Sequence, residues 1–194
     1  MQHPKEEITF LMVKTDGVRK GLIGETIKRV EQRGLKIVAL EMFHATREEA
    51  DSHYPKDDVW LKRLGGKTLT TYEKYGRDPK ADMGTNDALK LGKKIRGWLI
   101  DYLTDAPMVK MIIQGVHAID MVRKIVGNTL PYKAEMGTIR GDFSVDSPAL
   151  ANKEQRAIFN LVHASETAEE AKHEIEFWFK NHPIFQYKRF GVDD

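Results

Sequence analysis

Cysteine is absent from the 194-residue chain. A chain without thiols has neither disulfide bridges nor thiolate metal ligands, so its fold must be held by core packing. An excess of one sign of charge is also missing, because 31 Lys and Arg residues stand against 29 Asp and Glu residues. That near balance argues against a nucleic-acid coat or a polybasic membrane anchor, although it allows a local basic pocket.

Long apolar segments are lacking as well. A membrane-spanning helix needs roughly 20 apolar residues, and no run in the sequence approaches that length. The polar segment Met1–Glu7 has no apolar region of the kind found in signal peptides. We therefore expect a cytoplasmic protein that binds neither membranes nor a specific nucleic acid. Its hydrophobic content of 41% is enough for one real core.

Short apolar runs predict four strands, and apolar residues at helical spacing predict helices between them. The helix after the first strand is expected to end at Gly34, and the helix after the third strand at Gly127. The order strand, helix, strand, strand, helix, strand is typical of a ferredoxin-like βαββαβ sandwich. We therefore predict an α+β fold in which helices pack on one face of a four-stranded antiparallel sheet. The predicted strands are Ile8–Val13, Leu35–Met42, Val109–Ile113 and Ala157–Val162.

The last predicted helix has clear boundary signals. Thr167 and Glu170 have the spacing of a capping box. Apolar residues from Ala171 to Phe179 then recur on one face, and Pro183 lies just past the expected end.

Two segments interrupt this pattern. Pro55–Lys94 is highly charged, and Gly65 and Gly66 are among its helix breakers, so we expect a partly helical surface insertion rather than a second core. Ser144–Gln155 is a second, smaller excursion. Neither is long enough for an independent domain, and the prediction is a single domain over residues 1–194 with insertions at about 55–94 and 144–155.

One of the seven histidines stands out. His163 ends an apolar strand-like run and precedes a helix cap, a position where helix N-termini favour anions. Glu174, on the following helix, could accept one imidazole N–H, which we take to be Nδ1–H, and leave the other nitrogen as a nucleophile. The alternatives are a structural histidine and an ordinary surface glutamate. The other histidines, His3 and His53 among them, lie in surroundings that indicate no special role.

Three basic residues lie near predicted strand ends: Lys14, Arg123 and Arg140. A phosphate site needs fixed positive charge, and arginine binds phosphate oxygens in a bidentate manner. Each residue alone is more often a solvated surface charge. Together they suggest a phosphate site.

Four motifs follow one another along the chain: VKTDGV at 13–18 with GLIG at 21–24, NTLP at 128–131 followed by GTIRGDF at 137–143, NLVHAS at 160–165, and Glu174-Ile175 with Trp178-Phe179. In this order and at this spacing they resemble the motifs of nucleoside diphosphate kinases. The resemblance covers nearly the whole chain except the two insertions. Thr15 stands where the family usually has Pro, Ala164 where it has Gly, and Glu166 where Asp is common.

The resemblance implies a ping-pong enzyme that passes the γ-phosphoryl group of a nucleoside triphosphate, typically ATP, to a nucleoside diphosphate and so maintains GTP, CTP and UTP pools. His163 would become phosphohistidine, Glu174 would orient it, and Ser165 would hydrogen-bond that glutamate. The resemblance also implies Mg²⁺ held mainly by substrate phosphates rather than by protein ligands, and a homo-oligomer, hexamer or tetramer. The implied phosphate and ribose ligands are Lys14, which is also catalytic, Tyr54, Arg123, Thr129, Arg140 and Asn160.

The residue that stacks on the nucleotide base is left open by this resemblance. The family uses an aromatic residue, but counting back from Pro107 reaches Ile95, and the nearby Trp98 is the alternative.

Two other functions remain as rivals. A ferredoxin-like binding module without kinase activity, such as an RNA-recognition domain, would explain RGDFSV at 140–145, but Asp142 and Ser144 occupy its stacking positions. An inactive relative kept as an interaction protein would not need the intact set of charged residues.

Overall fold

The computed structural model describes residues 6–180 and 182–189, so His3 lies outside the described residues. Helices and strands alternate in the order β1, α1, α2, β2, α3–α6, β3, α7–α9, β4, α10. The strands are β1 (Glu6–Val13), β2 (Lys36–Phe43), β3 (Met108–Val116) and β4 (Val162–Ala164). The helices are α1 (Thr15–Arg19), α2 (Ile23–Gln32), α3 (Arg47–His53), α4 (Asp58–Lys74), α5 (Pro79–Met83), α6 (Ala88–Leu103), α7 (Ala118–Val126), α8 (Ile139–Phe143), α9 (Pro148–Lys153) and α10 (Ala168–Trp178).

The four strands form one antiparallel sheet in the order β2-β3-β1-β4. β1 pairs with β3 along its whole length, from Glu6 opposite Val116 to Val13 opposite Val109. This order and direction confirm the predicted ferredoxin-like fold.

Helices cover both faces of the sheet rather than the one face predicted. This arrangement explains why the central strands are continuous apolar runs. Leu11 and Val13 of β1 pack on one face with Val122 of α7. Phe10 and Met12, one residue out of phase, pack on the other face with residues of α6 and α10. Successive strand side chains point to opposite faces, so β1 is buried on both sides.

The fourth strand is shorter and lies later than predicted. Residues 157–161 were expected to be strand, but β4 begins only at Val162. Leu161 has a φ of 66°, and the Val162 N–H donates to the Asn160 carbonyl at 2.7 Å. This local turn prevents regular pairing, so His163 lies in the middle of β4, opposite Met12, rather than at a strand end.

The charged insertion is helical, as expected, but its central glycines do not break a helix. Gly65 and Gly66 both lie inside α4. A Cβ at Gly65 would come within 1.9 Å of the Ala88 carbonyl oxygen, and one at Gly92 within 2.0 Å of that of Leu61. Glycine at both positions therefore allows the backbones of α4 and α6 to pack in direct contact. In the described parts of the chain, no helix is both long and apolar enough to cross a membrane.

The last helix follows its sequence signals. The Thr167 side chain accepts a hydrogen bond from the Glu170 N–H, which confirms the predicted cap. The reciprocal half of the capping box differs, because the Glu170 carboxylate accepts from the Glu166 N–H at 2.6 Å.

Candidate active site

His163 and Glu174 form the centre of the site. β4 holds His163 on the face of the sheet covered by α10, and Glu174 projects from α10. The Nε2 atom of His163 lies 2.6 Å from Oε1 of Glu174. The predicted partner nitrogen, Nδ1, was therefore wrong, because the strand presents the far side of the ring to α10. A quarter of the His163 side chain (24%) is exposed, so the ring is open to solvent.

The second carboxylate oxygen of Glu174 is held by a hydrogen bond from Ser165. The Ser165 hydroxyl donates to Glu174 Oε2 at 2.5 Å, and both residues are buried. Burial alone would raise the pKa of Glu174, but the bonds from His163 and Ser165 outweigh it and lower that pKa below its ordinary value. The carboxylate thus remains charged and directs one nitrogen of His163.

A buried aspartate on α1 shapes the turn before β4. Residues 15–17 form the start of this short helix. The Asp16 carboxylate accepts hydrogen bonds from the N–H of Gly17 at 2.9 Å, from the N–H of Leu161 at 3.0 Å, and from the Tyr102 hydroxyl. A Cβ at Gly17 would lie 2.5 Å from the Leu161 carbonyl oxygen, so glycine is needed for this approach. Asp16 is a site-building residue that the sequence did not single out.

Lys14, Asn160 and Thr129 are linked by hydrogen bonds. The Lys14 ammonium donates to Asn160 Oδ1 at 2.7 Å, and Asn160 Nδ2 donates to the Thr129 carbonyl at 3.1 Å. Burial and the charge of Arg140 lower the pKa of Lys14 to about 8. The Thr129 side chain itself is exposed.

Arg140 is buried against main-chain carbonyl groups. Its guanidinium donates to the carbonyls of Asn160 at 3.0 Å, Gly127 at 2.7 Å and Val162 at 2.7 Å. Burial, followed by the nearby Arg123 charge, lowers the pKa of Arg140 to about 10. Arg140 therefore holds the turn before β4 together, and two of its five N–H groups remain for a ligand.

Arg123 and Tyr54 both lie near residues that neighbour His163: Arg123 reaches the Ala164 carbonyl, and the Tyr54 ring contacts His53. Arg123, on α7, makes only long contacts, at 3.5 Å to the Ala164 carbonyl and 3.6 Å to Glu166. Such contacts leave its guanidinium available for an anion. Tyr54 ends α3, and burial raises the pKa of its hydroxyl well above the ordinary value, so it remains a neutral hydrogen-bond donor.

His53 is a second histidine at the site, contrary to the ordinary role expected for it. Its ring centroid lies 5.9 Å from that of His163 and 4.9 Å from that of Tyr54. Burial and the neighbouring His163 lower the pKa of His53 to about 4, so His53 stays neutral beside the nucleophile candidate. Its position directly before Tyr54, a predicted ligand, is the sequence signal that could have identified His53 as a residue of the site.

The base-stacking alternatives differ in burial. Ile95 is only 9% exposed on α6. Trp98 is half-buried and packs against two core clusters. Trp60, at the start of α4, was not considered from the sequence, yet its ring centroid lies 6.3 Å from that of Tyr54.

Among the described residues, one group has ligand atoms close enough together to hold a metal ion, and it consists of His163, Glu170 and Glu174. Lys14 and Arg123 are cations that can meet phosphate oxygens but cannot ligate a metal. Their presence fits a Mg²⁺ that is carried by substrate phosphates and water rather than by protein ligands.

The RNA-recognition alternative is wrong at its defining motif. That module reads RNA with aromatic residues on a central strand, but residues 139–143 form α8, and Arg140 is buried.

Comparison with known proteins agrees with this geometry. The family model described as nucleoside diphosphate kinase matches residues 7–59 and 88–184. A nucleoside diphosphate kinase of Pyrobaculum aerophilum is 47% identical over 93% of this chain and 98% of that protein. One from Borreliella burgdorferi is 34% identical over 93% of this chain and 92% of that protein.

Solved structures show the same relationship. The crystal structure of an NDP kinase from Pyrobaculum aerophilum superimposes with a TM-score of 0.88 at 46% identity, over 94% of this chain and 100% of that one. A transition-state mimic of the enzyme from Borrelia burgdorferi, with bound vanadate and ADP, gives 0.72 at 32% identity over 95% and 94%. The chain therefore belongs to the nucleoside diphosphate kinase family of phosphotransferases.

Proposed function

We propose that the chain transfers the γ-phosphoryl group of a nucleoside triphosphate, typically ATP, to a nucleoside diphosphate through His163. In the first step, Nδ1 bonds to the γ-phosphorus, the bond from that phosphorus to the β–γ bridging oxygen breaks, and the diphosphate leaves. In the second, a terminal β-phosphate oxygen of the acceptor attacks the same phosphorus and the N–P bond breaks. The net result maintains GTP, CTP and UTP pools.

The hydrogen bond between His163 and Glu174 carries this proposal. A neutral imidazole has one N–H and one lone pair. With Nε2–H donated to a buried carboxylate at 2.6 Å, the lone pair is left on Nδ1, which does the attacking. Ser165 holds Glu174 in place, so it acts on His163 indirectly and does not contact the phosphate.

The surrounding cations supply the electrostatic part of catalysis. Phosphoryl transfer passes through a loose transition state, so the protein mainly positions groups and stabilises charge. Lys14 and Arg123 are half-buried cations that can meet phosphate oxygens, and Arg140 adds its two remaining N–H groups. Asn160 orients Lys14. Thr129 and Tyr54 complete the ribose and phosphate ligands.

Mg²⁺ would enter with the nucleotide, held by phosphate oxygens, and would supply further positive charge to them. The protein side chains would then orient the phosphate chain for attack by His163.

The setting in the cell is also part of the proposal. A cytoplasmic homo-oligomer, hexamer or tetramer, follows from family resemblance. We further propose that residues 1–194 form one domain with two insertions, at about 55–94 and 144–155. The direct packing of α4 on α6 supports the inclusion of the first insertion in the same folded unit.

Phosphoenzyme labelling tests the proposed function. Incubation with γ-labelled ATP should give an acid-labile, base-stable label that GDP removes as labelled GTP. His163→Ala should abolish the label, whereas His173→Ala, which alters an exposed histidine on α10, should label like the wild type. Circular dichroism checks that both variants are folded. Label that persists in His163→Ala would refute the assigned nucleophile.

A further inference from the structure

His163, Glu170 and Glu174 form a compact set of possible metal ligands. One ligand atom from each lies within 4.8 Å of the other two. Glu170 and Glu174 are one helical turn apart on α10, so their carboxylates share the face that meets His163. Small side-chain movements would bring all three atoms to about 2 Å from one ion.

Outer hydrogen bonds hold both carboxylates in place. The Ser165 hydroxyl binds one oxygen of Glu174. The Glu166 N–H binds Oε2 of Glu170 at 2.6 Å, which leaves Oε1 free. In known metal sites, hydrogen bonds of this kind orient the side chains that bind the metal. Glu170 has no part in the proposed phosphoryl transfer, so its place beside the nucleophile is unexplained by that reaction.

The donor set selects against Mg²⁺. One imidazole nitrogen with two carboxylate oxygens suits Zn²⁺ and similar transition-metal ions. Mg²⁺ prefers oxygen ligands and keeps its water. Millimolar Mg²⁺ on the nucleotide would therefore not compete effectively for these three side chains.

We propose that a transition-metal dication, represented by Zn²⁺, binds to His163, Glu170 and Glu174 and switches the enzyme off. Zn²⁺ would occupy the position of the proton between Nε2 of His163 and Glu174. The ring stays neutral, so its single N–H moves from Nε2 to Nδ1. Nδ1 then carries a proton instead of a lone pair and cannot attack phosphorus. The inhibition rests on the proposed role of His163, whereas the binding does not.

Direct titration tests the binding. Metal-free, nucleotide-free full-length protein is titrated with ZnCl₂ in a calorimeter. Glu170→Gln should weaken the Zn²⁺ affinity at this site by at least about tenfold, because even the loss of an orienting hydrogen bond costs that much. The amide oxygen of glutamine can still accept the Glu166 N–H, so the helix end is preserved. Glu169→Gln, at the exposed neighbouring residue, should bind as the wild type does, and His163→Ala should lose this site.

Kinase assays in excess Mg²⁺-nucleotide test the switch. Without zinc, Glu170→Gln should retain the wild-type rate, and the Zn²⁺ concentration for half-inhibition should rise by the same factor as the dissociation constant. Chelation of zinc by nucleotide would act equally on both proteins. Equal Zn²⁺ affinity of wild type and Glu170→Gln, or an unchanged site in His163→Ala, would overturn the proposal. The calorimetric result decides this even if no variant has kinase activity.

Discussion

Lys14 is a residue of the site whose charge is lost at mildly alkaline pH. Its pKa is lowered to about 8 by burial and by Arg140, so the ammonium is lost as the pH rises through that value. We expect kcat/KM for the nucleotide to fall above about pH 8, approaching tenfold per pH unit, since kcat/KM reports groups of the free enzyme. A pH profile from 6 to 10 measures this.

Lys14→Arg is the matched control for that profile. Arginine keeps its charge throughout the range, so the variant should be less active at pH 7 but should not show the decline near pH 8. The same falling limb in both proteins would assign the titration to another group.

Arg140 and Arg123 should respond differently to the same change. Three different nitrogens of the Arg140 guanidinium meet the three carbonyls, and the single nitrogen of lysine cannot occupy all three positions. Arg140→Lys should therefore leave at least one buried carbonyl without a donor, and we expect a loss of about 1–3 kcal/mol in the free energy of unfolding. Arg123→Lys removes only long contacts, so its unfolding cost should stay below about 1 kcal/mol while the nucleotide KM rises.

Urea unfolding and steady-state kinetics on both variants separate these effects. Equal destabilisation by the two substitutions would contradict the structural role given to Arg140.

At the scale of elements, β4 shows what sequence patterns convey about this site. The apolar run before His163 correctly predicted a strand near this histidine. It could not reveal the left-handed turn at Leu161, because that turn depends on Asp16, 145 positions away along the chain. The ring nitrogen that meets Glu174 was predicted wrongly because the orientation of the ring is set by the packing of β4 against α10.

The direct contact between α4 and α6 yields a prediction about packing. Gly92→Ala would put a Cβ 2.0 Å from the Leu61 carbonyl, so α4 and α6 must separate, at a cost of about 1–3 kcal/mol. Gly66→Ala, on the same helix pair, meets nothing within 4 Å and should stabilise the protein by about 0.5–1 kcal/mol through helix propensity. Thermal unfolding of both variants measures the difference, and a stabilised Gly92→Ala would refute the close packing.

The start of α4 is also our expected platform for the nucleotide base. A row of ring contacts runs from His163 through His53 and Tyr54 to Trp60, with centroid distances of 5.9, 4.9 and 6.3 Å. Because base–aromatic stacking contributes about 1–3 kcal/mol, Trp60→Ala should raise the nucleotide KM about fivefold or more.

Trp60→Phe, which keeps an aromatic face, should restore most of that affinity. An unchanged KM in Trp60→Ala would exclude Trp60 as the stacking residue.

For the whole molecule, the order of elements was predictable because each strand and helix has its own apolar period. Residues brought together across the chain, such as His53 beside His163, were harder to predict since their contacts depend on tertiary packing. The resemblance supplied Lys14 and Asn160 as ligands, but not the 2.7 Å bond that joins them.

The outer strand of the sheet leads to a prediction about assembly. No described strand pairs with the outer side of β2, although the Phe185 N–H donates to the Val38 carbonyl at one end. At the other end, Leu40 and Met42 are 48% and 55% exposed. Unpaired strand edges with exposed apolar side chains favour association, so we expect copies of the chain to meet through this part of β2.

The double variant Leu40→Lys, Met42→Lys should lower the molar mass measured by light scattering after size-exclusion chromatography, because paired charges at an edge oppose strand pairing. Val59→Lys, at a residue 79% exposed on α4, is the control and should leave the mass unchanged. Circular dichroism distinguishes dissociation from unfolding. A monomeric wild type would exclude the proposed assembly. A folded double variant of unchanged mass would place the interface elsewhere, since two lysines on each contacting strand cannot be buried without losing their hydration.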